Sequence, residues 1–139
     1  MNHKGRGNFV AYSAGSHPAG SVRPEALHQI ELARMPTHGL YSKSWDEFAG
    51  PAAPEMHFVF TVCDRAAGEV CPLWHGHPLT AHWGVADPAE VVGTPEKIER
   101  AFSEAFSILD RRIMLFMSLP LATLDDLVIQ SEINRIGKQ

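Results

Sequence analysis

Alternating strand-like and helix-like segments predict an α/β layered fold built on a parallel sheet. Two observations carry that prediction. Met56 to Val62 is a near-continuous apolar run of strand length, the pattern of a strand buried on both faces of a sheet. After Thr94, apolar residues recur at intervals of three and four for more than twenty residues, the period of a helix with one core face.

The elements follow in order. Phe9 to Ser13 is short, apolar and aromatic and runs into Ala14-Gly15-Ser16-His17-Pro18, which reads as a strand ending in a turn. Pro24 opens a short amphipathic helix carrying Leu27, Ile30, Glu31 and Arg34 and closing near Pro36. Ser44, with Glu47 three residues on, forms a capping box for a brief helix that Gly50 and Pro51 end. Met56 to Val62 is the central strand and delivers Cys63 to its C-terminal end. Leu79 to Trp83 is a weaker strand, followed by a loop through Asp87-Pro88. Thr94, with Pro95 next, caps the long helix, whose apolar face comprises Ile98, Ala101, Phe102, Ala105, Leu109, Ile113, Phe116 and Met117. Pro120 breaks it. Thr123 then caps a last helix with Leu124, Leu127, Val128, Ile133 and Ile136, which Gly137 ends.

Composition bounds the function. The 139 residues are 45% hydrophobic and 20% charged, which fits one soluble domain. A net charge of -4 with scattered Lys and Arg leaves no basic stripe for a nucleic-acid backbone. Neither a bilayer-spanning apolar run nor a signal peptide is expected, so the location expected is cytoplasmic. In that reducing compartment two cysteines are thiols or a transient redox pair rather than a permanent staple.

Chemistry concentrates between Thr61 and Pro88. Cys63 and Cys71 close a loop in which Gly68 allows approach and Arg65 favours a thiolate, which is a redox reading. Two small buried hydrophobes are the alternative. His75, His77 and His82 add donors to the cysteines, but the spacing matches no standard zinc module and no metal is expected. Asp87 before Pro88 is either a general acid or a turn former. Ser13 stands at a strand end, where it can face a ligand.

Four segments in this order and spacing, AYSAGSHP, SKSWDEFAGP, TVCDRAAGEVCPLW and HWGVADP, resemble the arsenate reductases built on the low-molecular-weight tyrosine phosphatase fold. The resemblance covers most of the chain. It implies a flavodoxin-like, three-layer parallel sheet with its site at the C-terminal edge of the strands. It also implies an arsenate or phosphate-like oxyanion as substrate, no cofactor, and thioredoxin or a similar thiol reductant as partner. In such reductases a loop cysteine attacks arsenate, a second cysteine attacks the first, and a third attacks the second. By resemblance Cys63 is the second and Cys71 the third. Asp87 matches the general acid of the related phosphatases, and Ser13, at its strand end, is the expected substrate-binding residue.

One departure matters. Family members carry a Cys-x5-Arg loop that cradles the oxyanion, whereas here Glu69 stands six residues after Cys63 and His77 six after Cys71. Met1 stands where the family has an internal residue. The expectation is a single domain over 1–139, N-terminally incomplete and missing the first strand and the anion loop. Such a sheet exposes strand edges, and a homo-oligomer is expected to cover them. Two functions follow: an arsenate reductase inactive alone, or a non-catalytic α/β module whose thiols form a redox switch.

Overall fold

The computed structural model describes residues 1–64, 68–69 and 72–139. Among them two strands, β1 (Phe58–Thr61) and β2 (Leu79–His82), form a parallel pair with Phe58 opposite Leu79 and Thr61 opposite His82. Among the described residues three α-helices accompany them: α1 (Pro24–Leu32), α2 (Pro95–Met117) and α3 (Asp126–Ile136). Both strands and the long helix thus form where the sequence expects them, and the architecture is α/β.

Period two along β1 decides which side is core. Phe58 and Phe60 turn toward Phe116 of α2, with ring centroids 4.9 and 5.2 Å away. Trp83, just beyond β2, lies almost flat on Phe60 at 4.0 Å. Ala81, Trp83 and Phe116 close a core with Ile129, Ile133 and Ile136 of α3, and Met1 and Phe9 pack on it from the N-terminal segment. Each such side chain, fully buried, contributes about 1.5–3 kcal/mol, so this cluster is what holds α2 and α3 on the sheet. Val59, Thr61, Thr80 and His82 face the other way and line an open cleft of ≈ 630 Å³ with Trp74 and Gln130.

Local signals explain the helix ends. Thr94 Oγ1 accepts from Lys97 N at 3.2 Å and Pro95 occupies the first turn, as the sequence predicts for α2. The last helix begins later than predicted. Asp125, not Thr123, is its cap, accepting from Val128 N at 2.9 Å, while Thr123 donates its hydroxyl to Pro120 O. α1 ends at Leu32, short of Pro36, because Arg34 adopts a left-handed φ of 57°. Arg34 N then donates to Glu31 O and Met35 N to Ile30 O, a Schellman closure made with arginine where glycine is usual. The capping box at Ser44 is half formed. Ser44 Oγ accepts from Asp46 N, but the Glu47 carboxylate accepts from the Tyr41 hydroxyl instead of reaching back.

The predicted strand at Phe9 to Ser13 is corrected. These residues join no sheet among the described residues. A strand exists only where a neighbour shares its ladder, and Ala11 finds another partner: the Asn2 carboxamide accepts from Ala11 N at 2.7 Å and donates to Ala11 O at 2.9 Å. One side chain thus satisfies both peptide groups of Ala11, which a strand would have paired. Further on, Gly15 makes a single parallel bridge to Ser44. Lys4 ties this N-terminal segment to α2 through Asp110 at 2.6 Å.

Candidate functional site

Parallel pairing brings both strand ends out on one edge. The ladder runs on beyond the strands, with Trp83 N donating to Thr61 O at 2.7 Å and Val85 N to Val62 O at 2.8 Å. The segment entering Cys63 and the segment leading to Asp87 are therefore joined backbone to backbone. Cys63, half-buried, follows Val62 directly.

A polar chain crosses this edge. The His82 ring lies 2.8 Å from Thr61 Oγ1 through Nδ1 and 3.0 Å from Asp64 Oδ1 through Nε2. With Asp64 ionised, Nε2 donates to it, which leaves Nδ1 of the neutral ring to accept the Thr61 hydroxyl. Gly84 leaves room for this ring, since a Cβ at that position would sit 2.7 Å from His82 Nε2 and the imidazole would have to shift. Sequence reasoning placed His82 only among possible metal donors. Its contacts come from the register that sets it opposite Thr61.

Asp87 is exposed and caps a 3₁₀ turn, Pro88–Glu90, with Oδ1 accepting from Ala89 N at 2.9 Å. Its charge also reaches Arg23, whose guanidinium is held above its usual pKa first by the hydrogen bond to Glu25, then by the Glu25 charge and more weakly by Asp87. Arg23 in turn lies over the Phe102 ring of α2 at 5.6 Å.

The loop that carries Asp87 is fastened from below by Arg112, one of the scattered basic residues of the sequence. Arg112 is 6% exposed. Its Nη1 donates to Trp83 O at 2.7 Å and Gly84 O at 3.1 Å, and Nη2 to Gln139 O at 3.2 Å. Nε is buried without a hydrogen-bond partner, and burial holds the guanidinium below its usual pKa. A signal for it did exist. Arg112 falls in the stripe Phe102, Ala105, Leu109, Arg112, Phe116, where the helical period calls for an apolar residue.

The remaining predicted residues lie apart or outside view. Ser13 is exposed in a shallow cleft of ≈ 290 Å³ with Gly15, Tyr41, Ser42 and Lys43, and neither Cys63 nor Asp87 lines it. Cys71 lies outside the described residues, as does Arg65. Of the histidines, His75 is engaged with Gly50 O at 2.7 Å and His82 with Thr61 and Asp64. No group of three His, Cys, Asp or Glu side chains among the described residues is placed to hold a metal ion. No helix among them is long and apolar enough to cross a membrane.

Residues 1–126 match the family of low molecular weight phosphotyrosine protein phosphatases. An arsenate reductase of Oceanobacillus iheyensis is 30% identical over 105 residues, covering 76% of this chain and 72% of that protein. An arsenate reductase of Shouchella clausii is 39% identical over 59 residues, 42% of each. The family match over residues 1–126 contains the parallel pair and both strand ends. The chain belongs to the low molecular weight phosphotyrosine protein phosphatase family, as one of its arsenate reductase-like members.

Proposed function

We propose that this chain performs the thiol-relay steps of arsenate reduction, with Cys63 and Cys71 carrying oxidation away from the arsenic, and that these 139 residues do not turn over arsenate by themselves. The observation that carries the reading is the common edge: the strand end entering Cys63 and the loop bearing Asp87 are joined by the bond from Val85 N to Val62 O.

The chemistry balances as follows. A cysteine thiolate outside these two displaces an oxygen of arsenate, and Asp87 supplies the proton to the departing oxygen. The Cys63 thiolate attacks that cysteine's sulfur, an S–S bond forms, and the S–As electron pair leaves with arsenic as arsenite. The Cys71 thiolate then attacks Cys63, and the first cysteine departs as thiolate. The Cys63–Cys71 disulfide that remains holds the two-electron oxidation, and a dithiol of the thioredoxin type reduces it. Keeping both thiols reduced between turnovers accords with a cytoplasmic location.

The dependence on outside residues follows from sequence. Neither cysteine has arginine six positions on, so the cradle for the oxyanion comes from residues beyond these, in the same chain or another. Removing a single such donor costs about 10²–10³ in rate, and here the whole nest is wanting. The same observation favours a second reading, a thiol redox switch without turnover.

Steady-state arsenate reduction by the purified chain with thioredoxin, its reductase and NADPH tests the proposal. The expected result is no turnover until a polypeptide bearing a Cys-x5-Arg loop is added, and none with Cys63→Ser even then. Family-like rates from the chain alone would overturn the dependence. Turnover surviving Cys63→Ser would overturn the relay.

A further inference from the structure

We propose that α3 is a clamp on the loop after β2 and that Arg112 is its positioning residue, holding the Asp87 segment against the strand end that leads into Cys63, with the roles of Asp87 and Cys63 taken from the function proposed above. The match to the family ends at residue 126, so all of α3 but its first residue lies beyond it. Yet α3 and the residues just past it are built into the edge at four points. Trp83 Nε1 donates to Ile133 O at 2.9 Å, a bond that is buried. Gln130 Nε2 donates to Thr80 O at 2.8 Å on the outer side of β2. Gly137 lies so close that a Cβ there would stand 2.7 Å from His82 O and 2.9 Å from Trp83 Cδ1. Arg112 binds Trp83 O, Gly84 O and Gln139 O together, so one guanidinium joins the loop to the segment just past α3.

Ordinary core packing does not require this arrangement. A buried cation held by backbone oxygens, with Nε lacking a hydrogen-bond partner among the described residues, is costly, and an apolar residue in the same stripe would avoid the cost. What the guanidinium adds is geometry: planar donors that fix two successive carbonyls at the start of the Asp87 loop. Because Val85 donates to Val62 O, a shift there is passed to the strand end before Cys63. Misplacement by about 1 Å at a reacting group can cost about 10²-fold in rate, which is the scale on which such a clamp matters.

Amide hydrogen exchange on the full chain tests the clamp without needing turnover. In Arg112→Ala, the Trp83 and Val85 amides should exchange at least about tenfold faster, the factor for losing one charge-assisted hydrogen bond, while α1 stays unchanged. Millimolar methylguanidinium should restore the slow exchange, and Arg112→Lys should fall between. Unchanged exchange at Trp83 and Val85, an equal rise in α1, or no rescue would each overturn the clamp. If Arg112→Ala does not fold, Gly137→Ala poses the same question with Arg112 intact. Its methyl group displaces the end of α3, the same two amides should speed up, and their constancy overturns the proposal. Diamide oxidation of the unaltered chain separates the two readings: without an intramolecular disulfide the relay fails, while exchange still decides the clamp.

Discussion

Truncating Phe116 to alanine should remove a large part of the domain's stability. The residue is 1% exposed, and its ring is met by Phe58 at 4.9 Å, Phe60 at 5.2 Å, Phe9 at 5.7 Å and Trp83 at 6.1 Å. Loss of a buried phenylalanine side chain costs about 3–5 kcal/mol once the cavity is included. Here the upper half of that range applies. The four partners belong to three separate segments, so none can close the hole without shifting the strand or the N-terminal segment. Edge-to-face contacts of about 0.5–1.5 kcal/mol each are lost as part of the same sum. A loss of about 4 kcal/mol compares with a total of about 5–15 kcal/mol for a typical domain. Urea unfolding followed by circular dichroism and by tryptophan emission measures it. With a slope of about 2 kcal/mol per molar urea, the midpoint should fall by about 2 M, and Phe116→Leu by about a third of that. A fall of less than about 0.5 M for the alanine variant, at unchanged slope, would refute the view that these rings form the core joining α2 to the sheet.

Other outcomes are equally open to measurement. Arg34→Gly should stabilise the chain by about 1 kcal/mol, since glycine takes the left-handed conformation closing α1 without the strain arginine bears; thermal unfolding decides, and a loss would contradict the Schellman assignment. Mild diamide treatment should remove two hydrogens from one chain by joining Cys63 to Cys71, and mass spectrometry finding only intermolecular disulfides would show that the pair does not meet. Glu25 should titrate below the ordinary carboxylate range because Arg23 donates to it. The stability it lends is present above the unfolded value and lost as pH falls through the lowered one; NMR titration should show Arg23→Gln moving Glu25 upward, toward the usual range. Finally, the chain should self-associate, covering Val10, Tyr12 and the side of β1 that no described residue pairs, and light scattering showing a monomer at every concentration would contradict this.

What was legible in the sequence was whatever depends on neighbours along the chain. α2 shows in its period and in Thr94-Pro95, and β1 in its unbroken apolar run, because burial on one stripe or on both faces leaves a local pattern. The failures are those of partnership. Phe9 to Ser13 has strand composition, but no composition reveals that a carboxamide at Asn2 takes the bonds of Ala11. Thr123 and Asp125 are both good caps two residues apart, and the choice fell to whichever oxygen the helix end could reach. At the site, Asp64 and Thr61 became partners of His82 only through the register of two strands some twenty residues apart. Arg112 was legible in principle, as a charge where the helical period demands an apolar side chain.

The stacking of Trp83 on Phe60 gives the protein an optical reporter of its own. An indole that is 2% exposed, with its N–H given to Ile133 O, should emit toward the blue and resist aqueous quenchers. Trp45 and Trp74, half-buried and edge-on at 6.4 Å, should emit to the red of it. With those two changed to phenylalanine, the remaining emission comes from a chromophore adjoining His82 and bonded through its own peptide N–H to Thr61. Its wavelength and lifetime then follow the state of the strand edge directly, in an unlabelled chain and on a nanosecond clock.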